Sequence, residues 1–352
     1  MISFASDNNS GVHPKVLAAL EKANSGHAGA YGNDEHTTKA EALLHSVFGE
    51  DSRAFFVFLG TAANVLAITG SLKPYEAVVC ADSAHIYTDE CGAIEAAGRK
   101  LYAVPGHDGK IRPQDAEPLL AFADDVHHAW PKMVSITQST ELGTLYRPEE
   151  IRALSAFCRA NGLYLHMDGS RLANAAAALG LGLREASRDL GVDILSLGGT
   201  KNGLMYGEAV LFFNPALAPD FPFYRKQGMQ LGSKMRFLSA QFSAYLQNDL
   251  WRRNALHANA MTILLAEQIK GLPGIRVTQP VSVNSIFLRI PQTALDKLSQ
   301  KYKFSIWDLE PDNGGPAAAA PVDGPEIRIM TSFNTTEEQV GQLAADIKKL
   351  LS

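Results

Sequence analysis

Four short stretches of this 352-residue chain carry groups that could do chemistry. The first, Leu197-Gly198-Gly199-Thr200-Lys201-Asn202-Gly203, follows the apolar run Val192–Leu195 and sets a lysine at the end of an expected buried strand. A packed strand normally continues apolar or turns on Asn-Gly; an amine held between small residues is available as a nucleophile. A solvated turn lysine is the competing reading. A Walker-type phosphate loop is excluded, because it has Gly directly before its Lys and Ser or Thr directly after, whereas Thr200 and Asn202 flank Lys201. The second stretch, Gly60-Thr61-Ala62-Ala63-Asn64, joins the apolar Ala54–Leu59 to the helix-like Val65–Ile68. Free N–H groups at a helix start suit a phosphate, although an ordinary helix cap by Thr61 would use the same residues. The third, Ala81-Asp82-Ser83-Ala84-His85, puts an imidazole just past a strand end, where it could act or simply pack. In the fourth, Leu163–Arg171, an apolar strand ends on Asp168-Gly169, which is either a delivered carboxylate or an Asp-Gly turn.

The elements that must position these groups alternate. Short β-branched and apolar runs at 54–59, 77–81, 100–104, 133–137, 163–167, 192–197 and 209–213 alternate with amphipathic stretches such as Pro14–Ala23, Glu35–Phe48 and Glu149–Ala160. This predicts an α/β fold with a mostly parallel sheet covered on both faces, which binds ligands at the carboxyl ends of its strands. From Met235 to about Lys270 few helix breakers occur, so a long connecting helical region is expected. Short strands at 275–278, 285–290, 304–309 and 326–330 follow, with helices near Thr293–Lys301 and Thr335–Leu350. They suggest a smaller C-terminal α+β domain, so the expected division is a large cofactor-binding domain at 1–245 and a small domain at 246–352. Pro311–Pro325, rich in Ala, Gly and Pro, reads as a loop.

Composition narrows the function classes. A chain 46% hydrophobic can bury a large core, and a net charge of −5 gives no electrostatic case for nucleic acid or an anionic membrane. No apolar run approaches ~18 residues, and the N-terminus lacks the pattern of a secretory signal. Cys80, Cys91 and Cys158 are odd in number and lack metal-ligand spacing, so reduced thiols, a cytoplasmic location and no metal are expected.

Taken together, a lysine, an aspartate, an aromatic ring and a helix start at strand ends match the needs of a pyridoxal phosphate enzyme. Lysine forms an imine with the cofactor aldehyde, aspartate pairs with the pyridine nitrogen, the ring stacks, and the helix end holds the phosphate. The small neighbours of Lys201 are expected to let such a cofactor come close.

At this point the chain resembles a family. Ser6-Asp7-Asn8, Gly60–Asn64, Ala84–Gly92, His166-Met167-Asp168-Gly169-Ser170-Arg171 and Gly198–Gly203 are similar, in order and spacing, to the low-specificity L-threonine aldolases, with the likeness running from about residue 3 to the end. The resemblance implies the aspartate aminotransferase fold (fold type I), pyridoxal 5'-phosphate, and retro-aldol cleavage of L-threonine, L-allo-threonine and related β-hydroxy-α-amino acids to glycine and an aldehyde. It implies that Lys201 carries the cofactor, Asp168 meets its ring nitrogen, His85 stacks on it, and Gly60, Thr61 and Ala62 hold the phosphate, with Thr200 offering a hydroxyl nearby. Arg171 would reach the cofactor's 3-hydroxyl side or the substrate carboxylate, which Ser6 and Arg328 would also bind. Arg236 and Tyr31 would complete a neighbouring subunit's site, so a homo-oligomer is expected, a dimer at minimum and a tetramer by family. His127, beside His128, falls where the family has a second histidine, so His85 and His127 are both candidates for the catalytic base. Trp130 and Tyr87 could line the aldehyde pocket. Another lyase of this fold, such as a phenylserine-preferring or β-eliminating one, an aminotransferase, and a non-catalytic binding protein stay open as alternatives. A nicotinamide dehydrogenase does not fit, since no Gly-x-Gly-x-x-Gly follows the first strand.

Overall fold

The structure, a computed structural model, describes residues 1–307 and 324–351. Most of the expected loop at 311–325 and the end of the expected strand at 304–309 lie outside them. In chain order the strands are β1 (Ile2–Ser3), β2 (Arg53–Val57), β3 (Glu76–Ala81), β4 (Lys100–Val104), β5 (Trp130–Thr137), β6 (Tyr164–Gly169), β7 (Ile194–Gly198), β8 (Glu208–Phe212), β9 (Arg276–Val277), β10 (Ser285–Arg289), β11 (Tyr302–Lys303), β12 (Ser305–Ile306) and β13 (Glu326–Met330). Strands β2 to β8 make one seven-stranded sheet in the order β2-β8-β7-β6-β5-β3-β4. Within it only β8 runs against its neighbours β7 and β2. β3, β7 and β8 are buried at every residue, which is why they read as near-continuous apolar runs rather than alternating ones, broken only by Glu76, Ser196 and Glu208.

Strand direction sets the site. The parallel strands end at Val57, Ala81, Thr137, Gly169 and Gly198 on one edge, and antiparallel β8 begins on that same edge with Glu208.

The helices start and stop where their caps dictate. Pro14–Ala23 has proline in its first turn, and Asp34 Oδ1 accepts the Thr37 N–H at 2.9 Å to cap Glu35–Phe48, which stops at Gly49 with φ of 109°. The expected single helical region from Met235 is two helices, Met235–Leu246 and Leu250–Ile269. They part where Asn248 and Asp249 both take left-handed backbone, φ 51° and 54°. Asn and Asp tolerate that region better than other non-glycine residues, so an adjacent Asn-Asp pair is a break signal that a search for Gly and Pro passes over.

Two apolar cores result. The larger packs the sheet between helices, from Val16 through Leu195 to Ala255. The second combines Phe4 with residues from Met261 onward, and the last helix, Glu337–Leu351, joins it through Val340, Leu343, Ala344 and Ile347, one helical face. The N-terminal segment is strapped to this second core: Phe4 N–H donates to the Lys303 carbonyl at 2.9 Å, and Met330 N–H donates to the Phe4 carbonyl at 2.7 Å. That strap carries Ser6 and Asp7 to the edge of the large sheet.

Candidate active site

A cavity of about 250 Å³ opens at the carboxyl edge of the large sheet, lined by Asn8, Gly60, Thr61, Asn64, His85, Glu90, Ser170, Thr200, Lys201, Tyr206 and Glu208 among others. A larger hollow of about 480 Å³ lies among the helices Pro14–Ala23, Glu35–Phe48 and Met235–Leu246, lined by Lys15, Lys22, His36 and Lys39. None of the expected site residues lines it, so chemistry rather than volume selects the smaller cavity.

Lys201 projects from a single helical turn, Thr200–Asn202, that follows β7 directly. Burial lowers its amine below the ordinary lysine range and the charge of Arg171 adds to this, against Asp7, Asp168 and Glu208. Among the described residues no hydrogen bond or ion pair holds that amine. Its small neighbours have structural reasons. A Cβ on Gly198 would stand 2.3 Å from the Ser170 carbonyl oxygen, and one on Gly199 would meet the Leu204 side chain at 2.4 Å and the Gly207 carbonyl at 2.9 Å. The backbones of the two strand-end turns themselves need the glycines, a structural reason that the sequence alone does not show.

Asp168 closes β6 and is buried, with 2% exposure. Its Oδ1 accepts the Ser170 N–H at 2.9 Å and its Oδ2 accepts from Asn64 Nδ2 at 2.8 Å. Burial alone would raise this carboxyl, but His85, Lys201 and these two donors outweigh it and hold it below the usual carboxylate range. The same Asn64 amide donates to Glu90 Oε1 at 2.8 Å, and Glu90 Oε1 meets His85 Nδ1 at 2.9 Å. One ligand atom each from His85, Glu90 and Asp168 lie within 4.8 Å of one another, yet the Asn64 amide already fills the space between the two carboxylates with its hydrogens. The Glu90 hydrogen bond raises the His85 imidazole above its ordinary range, against the effect of burial. The His85 backbone N–H donates to Glu141 Oε1 at 2.8 Å, while Glu141 Oε2 is buried without a partner among the described residues. Burial, with Asp168 adding, pushes the Glu141 carboxyl up to about 7.

The helix Gly60–Ser71 begins at the same edge. Its cap position is Leu59, which has no side-chain cap bond and is 58% exposed, so Thr61 is not the cap. The first N–H groups of a helix have no intrahelical partner, and a leucine cannot supply one. Gly60, Thr61 and Ala62 therefore present free donors at the helix's positive end, an anion cradle.

Arg171, in the turn after β6, is held by the N-terminal strap. Nε donates to Asp7 Oδ2 at 2.8 Å and Nη2 to Asp7 Oδ1 at 2.9 Å, a bidentate pair joined by Asn284 Nδ2 at 3.1 Å from Oδ2. Only Nη1 of Arg171 is left for another anion. Arg328, on β13, lies with its guanidinium 4.3 Å from the centre of the Trp307 ring and donates from Nη2 to the Ala5 carbonyl at 3.5 Å. Its Nε is buried without a partner among the described residues, and burial with Arg171 lowers it to about 10, so it stays a cation at neutral pH. Ser6 Oγ accepts the Asn8 N–H at 3.2 Å beside it.

Other expected residues lie elsewhere on the chain. His127 is exposed, with its N–H bonded to Asp125 Oδ1 at 3.0 Å, in the loop that enters β5. The chemistry is at the far end of that eight-residue strand, roughly 25 Å away at ~3.3 Å per residue. Within one chain His127 is therefore not brought to Lys201, and Trp130, which opens β5, is at the wrong end for the same reason. Tyr87 sits on the short helix His85–Thr88, exposed at the site edge. Tyr31, half exposed, has its N–H bonded to the Ser233 carbonyl at 3.0 Å and its ring 5.0 Å from Lys226 Nζ. Arg236 Nη1 donates to the Gly26 carbonyl at 3.1 Å. Both belong to one outer face and neither lines the cavity. The residues that sequence reasoning passed over as site groups are Asn64, Glu90, Glu141, Glu208 and Asp7. Asn64, Glu90 and Asp7 lie inside quoted motifs, but nothing in a linear sequence pairs Asn64 with an aspartate 104 residues away.

An α/β sheet edge with an unpartnered buried amine, a fixed carboxylate and a free helix start is the equipment of an enzyme that holds an anionic aldehyde. Residues 3–293 match the β-eliminating lyase family model. The chain is 43% identical, over 99% of its length and 98% of theirs, to the low specificity L-threonine aldolase of Pseudomonas sp. (strain NCIMB 10558). The Pseudomonas aeruginosa enzyme of that name is also 43% identical, over 99% and 97%. A solved structure of Leishmania major threonine aldolase, 32% identical, superposes with a TM-score of 0.92 over all of both chains. The chain belongs to the β-eliminating lyase family, and its full-length relatives put it among the low-specificity L-threonine aldolases.

Proposed function

We propose that the protein is a pyridoxal phosphate-dependent lyase that cleaves L-threonine, L-allo-threonine and related β-hydroxy-α-amino acids to glycine and an aldehyde, acetaldehyde from threonine. The observation that carries this reading is the Lys201 amine and the free helix start at Gly60 on the wall of one cavity, with the Asp168 carboxylate held behind the lining residues Asn64 and Ser170, in a chain whose full-length relatives bear that activity in their names. These residues fit the cofactor. Lys201 offers the amine for its aldehyde, Asp168 a charge for its ring nitrogen, His85 an aromatic face, and Gly60, Thr61 and Ala62 donors for its phosphate. Bound there, the cofactor supplies an electron sink for the bond broken at Cα.

The chain's own residues choose the bond and move the proton. Arg328, Ser6 and the free Nη1 of Arg171 take the substrate carboxylate and so fix the rotation about Cα, which decides which bond lines up for cleavage. His85 accepts the β-hydroxyl proton, and Glu90, bonded to Nδ1, stabilises the cation that results. His127 could serve only from a neighbouring chain. Tyr31 and Arg236, on an outer face with exposed Met205 and Met229, fit a shared site at a subunit interface, so the protein acts as a dimer or a dimer of dimers. The domain reading stays a large unit over 1–245 and a small one over 246–352, although the large core runs on through Leu250 and Trp251 to Ala255 and the small core takes in Phe4 of the N-terminal strap. A cytoplasmic location suits three free cysteines. Among the described residues no helix is long and apolar enough to cross a membrane.

Incubation with L-threonine and no keto-acid acceptor tests the reaction class. Glycine and acetaldehyde in equal amounts are expected. Release of 2-oxobutyrate and ammonia instead, or an absolute need for an acceptor, would overturn the proposal.

A further inference from the structure

The helix Leu250–Ile269 buries three polar side chains, Asn254, Asn259 and Thr262, among its apolar ones. Asparagine and threonine are poorer helix formers than the alanines and leucines around them. A buried hydrogen-bonded pair also adds little net stability over two apolar groups of the same shape. At ~3.6 residues per turn the three fall on one side of the helix, and from first to last they span about 12 Å at ~1.5 Å per residue.

Each is hydrogen-bonded to the element that carries one of the basic groups of the site. Asn254 Nδ2 donates to the carbonyl of Asn202, the neighbour of Lys201, at 2.8 Å. Asn202 answers from Nδ2, donating to the Trp251 carbonyl in the first turn of the helix at 2.9 Å and to Tyr245 Oη at 3.0 Å. Asn259 exchanges two bonds with Asn174. Asn174 Nδ2 donates to Asn259 Oδ1, and Asn259 Nδ2 donates to the Asn174 carbonyl, both at 3.0 Å. Asn174 lies in the first turn of the helix Leu172–Leu179, which starts directly after Arg171. Thr331 follows the last residue of β13, the strand of Arg328. It gives its one proton to the Ala258 carbonyl at 2.6 Å, which leaves it to accept from Thr262 Oγ1, also 2.6 Å away.

We propose that Asn254, Asn259 and Thr262 are positioning residues, and that through them the helix Leu250–Ile269 sets the spacing of Lys201, Arg171 and Arg328. The inference rests on the reading above, in which Lys201 takes the cofactor and the two arginines the substrate carboxylate. The amino nitrogen and the carboxyl group of an α-amino acid are joined through a single carbon, so the groups that receive them have little latitude. Lys201 follows a strand of the seven-stranded sheet, whereas Arg328 stands on the four-stranded one. Apolar packing between two such layers is non-directional and lets them slide, but hydrogen bonds weaken steeply when bent or stretched. Three bonded pins along one helix remove that freedom.

The test uses Asn254→Ala, which removes the pin at Lys201, and Thr262→Val, which removes the pin at Arg328. Two affinities are read from the visible spectrum: that of the full-length chain for pyridoxal phosphate, and that of the cofactor-loaded protein for glycine. Asn254→Ala should weaken cofactor binding roughly fivefold or more, the usual net value of one hydrogen bond, and change glycine affinity by less than about twofold. Thr262→Val should do the reverse, and Thr262→Ser, which keeps the hydroxyl, should restore glycine binding. Should Asn254→Ala or Thr262→Val fail to fold by circular dichroism, Asn254→Leu or Thr262→Ala takes its place under the same criterion. Variants that lower the melting temperature without separating the two ligands would overturn the inference while leaving the cofactor reading intact, and so would a Thr262→Ser that restores nothing. A wild type that binds no pyridoxal phosphate would overturn both.

Discussion

Asn64 shows how much of this site is built by side chains that do no chemistry. Its amide spans two buried carboxylates, Asp168 and Glu90, and so joins the Asp168 charge to the His85 imidazole that Glu90 holds. Glu90 is what raises the His85 imidazole. Replacing it in Glu90→Gln should lower the His85 titration point, read by NMR of the ring protons, and extend activity to lower pH if His85 works as the base in its neutral form. An unchanged titration would mean that the bond does not set the imidazole's charge. The Asp7–Arg171 pair is a second such unit. Burial would raise the Asp7 carboxyl, but Arg171 outweighs it and holds Asp7 low. A carboxyl whose folded value lies below its unfolded one stabilises the fold above the ordinary carboxylate range, and that contribution is lost as pH falls through the folded value. Arg171→Ala leaves Asp7 buried with only Asn284 as a donor, and urea unfolding at pH 7 should show a loss of about 3 kcal/mol. Because burial raises the Asp7 carboxyl once Arg171 is gone, protonation removes the stranded charge above the ordinary carboxylate range, and the deficit should shrink as pH falls from 7 toward 4.

At the scale of elements, strand direction did most of the placing. Lys201, Asp168, His85 and Gly60 were legible in the sequence because each follows an apolar run, and parallel strands deliver their ends to one edge. Glu208 was not legible, because nothing in the run Glu208–Phe212 says that it is the antiparallel strand and so starts where the others stop. The same rule removes His127 from the site within one chain, since it precedes a strand instead of following one. The glycines around Lys201 were visible but their cause was not, because the backbone of Ser170 that crowds Gly198 comes from another strand's turn. The helix break at Asn248 and Asp249 rests on left-handed backbone. Asn248→Val should destabilise by about 1–2 kcal/mol and lower the melting temperature, whereas Asn248→Gly should be neutral or slightly stabilising. Equal melting temperatures for the two variants would contradict that geometry.

For the whole molecule, the two cores and the N-terminal strap explain why the charged groups around the cavity come from both ends of the chain. Asp7 comes from the strap, Lys201 from the large sheet, and Arg328 from β13 of the four-stranded sheet. Tyr31 at 50% exposure and Met229 at 83% leave an apolar outer face that a second copy would cover. Sedimentation equilibrium should therefore give at least twice the chain mass of 38.0 kDa, and a monomer at micromolar concentration would refute the shared site. The central claim, that Lys201 is the attachment point of the cofactor, has a more direct test. The purified protein, loaded with pyridoxal phosphate, is reduced with borohydride, digested, and its peptides weighed. The account predicts a reduced pyridoxyl phosphate on the single peptide that contains Lys201, and none in Lys201→Ala. A label on a different lysine, or no label in a protein that still cleaves threonine, would contradict it.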